Sequence, residues 1–152
     1  MAIIESSKTI HADARAVFTA AQDVEKFPEL MPDLNSVSVL EDDGAGNTVT
    51  KWDGTVSVGP LKRSISWTER DHWNAGEMQC TFELVEGDMK KYSGTWTFIQ
   101  NGRGCDVELI VDFELGIPML GPMVNNMVEK IMKDNCDALL DALDKIATAQ
   151  PE

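Results

Sequence analysis

Between residues 35 and 115 apolar and polar side chains alternate, and on either side of this stretch the spacing changes. A period of two sends successive side chains to opposite faces of a strand. In 48–58 the apolar set is Trp52, Val56 and Val58; in 61–73 it is Leu61, Ile65 and Trp67; in 78–86 it is Met78, Phe82 and Leu84. Further along, Tyr92, Trp96 and Phe98 share one face, as do Val107, Leu109, Val111 and Phe113, while Asp106, Glu108, Asp112 and Glu114 fall on the other. Turn-forming runs divide the stretch at Asp42-Asp43-Gly44, Gly59-Pro60, Asn74-Ala75-Gly76, Glu86-Gly87-Asp88 and Asn101-Gly102. The pattern predicts a meander of about six antiparallel strands with an aromatic, apolar face and an acidic, wet one.

The flanks read differently. Residues 2–10, with Ile3, Ile4, Thr9 and Ile10 and no Gly or Pro, predict an opening strand. Asp13 can cap a helix over 14–22, where Val17, Phe18 and Ala21 share a face, and Asp23 can cap a short turn running into Phe27-Pro28-Glu29-Leu30. After Gly116-Ile117-Pro118 the helical period returns and holds to about residue 147, with Pro118 and Pro122 tolerable near the first turn. Its apolar stripe is Leu120, Val124, Met127, Val128, Ile131, Leu139 and Ile146. A helix of about 25–30 residues is roughly 40 Å long, more than any one of these strands, so it must lie across several of them. The expectation is one α+β domain over 1–147, with 148–152 a disordered tail.

Composition narrows the partners. With 13 basic against 26 acidic residues and a net charge of −13, the chain lacks the Lys and Arg that neutralise phosphates, which excludes nucleic acid as an expected partner. The same charge opposes stable docking on an anionic leaflet, and no apolar run is long enough for membrane insertion. An apolar fraction of 43% with 26% charged residues is ordinary for a folded globular chain. Cys80, Cys105 and Cys136 show no CxxC spacing, so buried thiols are expected rather than disulfides or zinc ligands. The opening MAIIESSKTI has neither the basic nor the apolar segment of a signal peptide, which makes cytoplasmic location the default expectation. His11 and His72 stand apart from any Cys or carboxylate at ligand spacing, so no metal is expected, and without a Gly-rich phosphate loop or nucleophile elbow no cofactor is expected either. Nothing in the pattern sets an oligomeric state.

Candidate chemistry concentrates on the apolar face. Arg63, Glu69 and Asp71 share that face of 61–73 with Ile65 and Trp67 by strict alternation. An inward Arg–carboxylate set could orient a carbonyl or enolate, or do acid–base work. Charges of this kind more often reach solvent at strand ends, and that is the expectation here. On the long helix, Asn135 falls four residues from both Ile131 and Leu139, inside the apolar stripe, where an unpaired amide is costly; it either bonds backbone or faces a ligand. Met119, Met123, Met127 and Met132 suit either an adaptable pocket mouth or plain gap filling.

The order strand, two short helices, six strands, long helix is particular. Together with Val17-Phe18, the run Asp23-Val24-Glu25-Lys26-Phe27-Pro28-Glu29-Leu30-Met31-Pro32, Gly59-Pro60-Leu61-Lys62, Gly94-Thr95-Trp96-Thr97-Phe98 and Val111-Asp112-Phe113-Glu114, it resembles the SRPBCC or START-like superfamily, especially its coenzyme Q-binding and polyketide cyclase/dehydrase branches. The resemblance spans about 5–147. It implies a helix-grip fold, in which a seven-stranded curved antiparallel sheet (β-α-α-β6-α) wraps a long C-terminal helix around a cavity for lipids, isoprenoid quinones or polyketides. A hydrophobic small molecule is then the expected partner, and the expected ligand-binding residues are Trp52, Trp67, Tyr92, Trp96, Phe113, Met123, Met127 and Asn135. The bland alternative is that these aromatics fill the interior, with Ala138 and Ala142 letting the sheet approach the helix at one end.

In the aromatase/cyclases of this superfamily, a tyrosine proton donor follows the Phe-Pro-Glu-Leu segment, and the matching position here is Leu34. The arginine of their fourth strand falls near Arg70 or Asp71. A carrier or chaperone of a hydrophobic metabolite therefore leads, with no catalytic residue. A polyketide cyclase or dehydratase using Arg63 and Glu69 is the alternative, and an interaction protein like the ribosome-associated relatives comes third.

Overall fold

The computed structural model describes residues 2–58, 61–115 and 122–149; outside it fall Gly59-Pro60, Gly116-Ile117-Pro118, Met119 and Leu120, together with the side chains of Ala2, Val58, Leu61, Arg63, Leu115 and 122–126. Strand β1 (Ala2–Ile10) leads to helix α1 (Ala14–Ala21) and a 3₁₀ helix (Val24–Glu29). Strands β2 (Leu34–Asp42), β3 (Asn47–Val58), β4 (Leu61–Asn74), β5 (Gln79–Gly87), β6 (Met89–Asn101) and β7 (Gly104–Leu115) follow, and helix α2 (Pro122–Ala147) comes last. The six-strand meander, the opening strand and the long helix stand where the alternation placed them.

All strand neighbours are antiparallel in the order β1-β7-β6-β5-β4-β3-β2. Only β1 crosses the sheet, pairing with β7 in a register that sets Ile4 against Val111 and Ile10 against Cys105. At 26 residues, α2 is roughly 40 Å long and packs on β1 and α1 while reaching β3 and the 3₁₀ helix. Polar contacts fix its C-terminal half to β1: Ser6 bonds Asp137, and Lys8 reaches Asp141 at 2.9 Å and Asp144 at 3.7 Å.

Side-chain parity holds in β4, β6 and β7, whereas β2 departs from it, burying Leu34 and Val37, three residues apart, around a register shift. Ile65, Glu69, Asp71 and Trp73 of β4, Trp96 and Phe98 of β6, and Val107, Leu109, Val111 and Phe113 of β7 are all buried. The outer face carries exposed ion pairs such as Arg70–Glu83 at 3.6 Å and Lys91–Asp112 at 2.8 Å, each contributing about 0–1 kcal/mol.

The helix caps differ from expectation. Asp13 and Asp23 occupy the N-cap positions, but neither side chain makes a cap bond. The amide of Ala14 instead donates to Gln100 Oε1 at 2.8 Å, and Gln100 is steadied by donating to the carbonyls of Gly102 and Gly104. A partner 86 residues away thus satisfies the helix start, which local spacing cannot reveal. Asp23 reaches Lys26 at 3.2 Å.

Candidate functional site: a cavity between the sheet and helix α2

The inward rows of β3 to β6 and the middle of α2 do not meet completely. Between them lies a cavity of about 100 Å³, closed at one side by Met31, Asp33 and Leu34, which lead from the 3₁₀ helix into β2. Among the described residues Met132, Asn135, Cys136 and Leu139 form its helical wall, and Leu109 is what β7 brings to it. Apolar and aromatic side chains dominate the lining, as in small-molecule sites generally.

A ladder of rings runs across the sheet wall. Phe27 stacks toward Trp52 at 6.4 Å, Trp52 lies nearly parallel to Trp67 at 5.9 Å and 6°, Trp67 meets Tyr92 at 5.5 Å, and Tyr92 meets Phe82 at 5.2 Å. Register explains the central step, because Trp52 and Trp67 are directly opposite across β3 and β4. Gly94 explains the last one: a Cβ there would lie 2.6 Å from Phe82 Cζ and 2.1 Å from the Ile110 carbonyl oxygen, so only glycine leaves the Phe82 ring its place.

Beneath the rings lies a polar chain. Trp67 Nε1 donates to Glu69 Oε1 at 2.9 Å; Trp52 Nε1 donates to Thr50 Oγ1 at 2.9 Å; and the Thr50 and Thr48 hydroxyls donate to Asp71 Oδ2 at 2.7 and 3.2 Å. Glu69 and Asp71, successive inward residues of β4, are each only 5% exposed and hydrogen-bond each other. Burial pushes the Glu69 carboxyl well above the usual carboxylate range, and the adjoining Asp71 raises it further. Burial also raises Asp71, but the bonds it accepts from Glu69, Thr50 and Thr48 pull it back. Glu69 therefore carries the shared proton and donates it toward Asp71, which keeps the charge. Burial, with these two acids nearby, lifts the Tyr92 hydroxyl well above its ordinary value, and burial pushes the Cys136 thiol up to about 12. Neither Tyr92 nor Cys136 is therefore a ready nucleophile.

The structure brings together most of the residues singled out beforehand. Trp52, Trp67, Tyr92, Trp96 and Asn135 all line the cavity, with Glu69 among them. Phe113 is buried on the expected face but is not among the described lining residues. Met127 is 40% exposed: the buried stripe runs through Val128, Cys136, Leu140 and Leu143, and Met127 sits one residue, or about 100°, off its edge. Met132 takes the place assigned to Met127. The side chain of Met123 lies outside the described residues. Glu69 and Asp71 do not reach solvent as expected; they lie mid-strand, where β3 and β5 cover them on either side. Arg63 is in register with Val56, and six residues, roughly 20 Å of strand, separate it from Glu69. Leu34 lines the cavity with an apolar side chain. Cys136, Leu139 and Met31 were missed, although the helical period would have flagged the first two once the stripe was set on Val128. Among the described residues no three His, Cys, Asp or Glu side chains are placed to hold a metal ion, and no helix is long and apolar enough to cross a membrane.

The sequence profile of the family described as polyketide cyclase / dehydrase and lipid transport matches residues 10–140. The chain belongs to this family. A protein of known structure from Thermus thermophilus, TTHA0849, is 29% identical and superposes with a TM-score of 0.88 over 96% of this chain and 97% of its own. The Zhui aromatase/cyclase of Streptomyces sp. R1128, at 22% identity, shares the fold with a TM-score of 0.81 over 96% of this chain and 93% of that one. A curated relative, the ribosome association toxin RatA of Pseudomonas aeruginosa, is 26% identical over 91% of this chain and 90% of its own. The family assignment and these superpositions establish the START-like helix-grip fold.

Proposed function

We propose that this family member holds a small hydrophobic molecule between the sheet and α2 and acts as a carrier or chaperone for it. One observation supports the reading above the rest: a partly open void remains where five aromatic rings and the methionine-bearing helix converge. At about 100 Å³ the void is smaller than the roughly 150 Å³ that holds a benzene ring in an engineered cavity. The space for ten or so heavy atoms that a quinone or polyketide needs is absent in this state, so such a ligand enters only by displacing α2 or the Met31–Leu34 wall. The family's lipid and polyketide associations fit an isoprenoid, quinone-like or polyketide-like guest. The reading carries with it the cytoplasmic location expected from the sequence.

A cyclase or dehydratase in the same pocket is the enzymatic alternative, and the buried Glu69–Asp71 pair favours it by offering a proton donor beside the rings. Leu34, lacking a hydroxyl, opposes it. Likeness to the ribosome association toxin favours a third reading, docking on a ribosome, which the net charge of −13 opposes. Titration with small aromatic and isoprenoid compounds tests the first reading, since a guest against Trp52, Trp67 and Trp96 quenches part of the tryptophan fluorescence. No quenching by any of them, together with co-sedimentation with ribosomes, would replace it with the third.

A further inference from the structure

The charge inventory of the cavity wall is one-sided. Each indole N–H beneath the ring ladder is already committed, Trp67 to Glu69 and Trp52 to Thr50. Both threonine hydroxyls are committed to Asp71, and the Glu69 proton is directed there too. What remains toward the cavity is acceptor capacity on Glu69, which lines it, backed by the negative charge that Asp71 keeps behind the lining. No Lys, Arg or His stands among the described lining residues. The parallel Trp52 and Trp67 rings add electron-rich faces beside Glu69.

We propose that the cavity selects amphiphilic cations, hydrophobic molecules bearing a protonated amine, with the ammonium at Glu69 and the apolar body against the Trp52–Trp67 stack. This rests on the ligand-holding reading above and names its chemical class. A carbonyl-bearing guest finds side-chain donors at Asn135, Tyr92, Trp96 and Thr55, none of them charged. A carboxylate guest meets charge of its own sign. An ammonium, in contrast, supplies the donors that Glu69 lacks and neutralises the buried charge, and the overall charge of −13 draws cations toward the protein.

The test uses three probes of one shape: benzylamine, benzyl alcohol and toluene, titrated into the purified chain at neutral pH and followed by tryptophan fluorescence and calorimetry. The amine is expected to bind about tenfold more tightly than the alcohol. In Glu69→Gln that ratio falls to about one, and Asp71→Asn, which removes the charge but keeps the Glu69 carboxyl, lowers it as well; thermal melts confirm that both variants fold. Equal affinity for amine and alcohol in the unaltered protein would overturn the cation proposal and leave the pocket standing for neutral guests. An amine preference that survives both substitutions would overturn the assignment to this pair. Binding of none of the three would overturn the cation proposal and the ligand-holding reading together.

Discussion

The two ends of the sheet–helix sandwich are built from similar residues to opposite effect. At the end where α1 and the C-terminal half of α2 meet β1, β6 and β7, Ile10, Val17, Cys105, Val107 and Leu143 are fully buried, and Phe18 meets Trp73 and Phe98 edge-on at 5.7 and 5.3 Å. Edge-to-face contact is a favourable arrangement for packed rings. At the other end Trp52 and Trp67 lie parallel, two carboxyls are buried beneath them, and a void remains. Trp96 marks the boundary, lining the cavity while stacking on Phe98 at 6.2 Å. The difference teaches where stability and adaptability are kept: the dry end holds α2 in place so that the other end can stay incompletely filled.

Substitution at the dry end has the largest expected cost. Leu143→Ala leaves a cavity with no room to collapse and should lose about 2–5 kcal/mol in urea denaturation, while ligand binding by the folded protein persists. Met132→Trp works at the other end. It should fill the void, abolish fluorescence quenching by small aromatic guests, and cost no more than about 1–3 kcal/mol. Equal stability losses and equal binding defects at both sites would erase the distinction between the ends.

Glu69 gives a pH-dependent check of the same contrast. Its carboxyl in the native state sits well above the 4.5 expected of the unfolded chain, so the folded protein keeps a proton that the unfolded chain releases. Stability from this group is full below 4.5 and is lost as pH rises from there through the native value, with a slope of at most about 1.4 kcal/mol per pH unit. Glu69→Gln should remove that loss, so the stability of the variant relative to the parent rises with pH across this window. Asp43, whose carboxyl is lowered by bonds from Asn47 and Ala45, acts in the opposite sense but is common to both proteins and cancels in the difference. The smallest effect belongs to Met127→Trp, which should change stability by less than about 0.5 kcal/mol and leave quenching intact, because that side chain faces solvent.

What the chain reveals on its own follows from the range of each signal. Period-two alternation is local and strong, so β3 to β7 were legible from it, and the inward face of β4 from Ile65, Trp67, Glu69 and Asp71 alone. Alternation says which face, but not what covers it. The burial of Glu69 and Asp71 depends on β3 supplying Thr48 and Thr50 across the sheet, a matter of register between strands. On α2 one residue turns the face by about 100°, so Met127 leaves the buried face that its neighbour Val128 joins, and the stripe read from the sequence held both. The cap of α1 was out of reach because its acceptor, Gln100, comes from the far end of β6.

The most direct measurement is native mass spectrometry of the chain purified from its own host, alongside Met132→Trp prepared in the same way, with solvent extraction of whatever co-purifies. The expected result is a species heavier than the bare chain by the mass of one small organic molecule, released on denaturation and absent from Met132→Trp. Bare chain alone in both preparations, or the same added mass in both, would contradict the assignment of a ligand to the cavity between the sheet and α2.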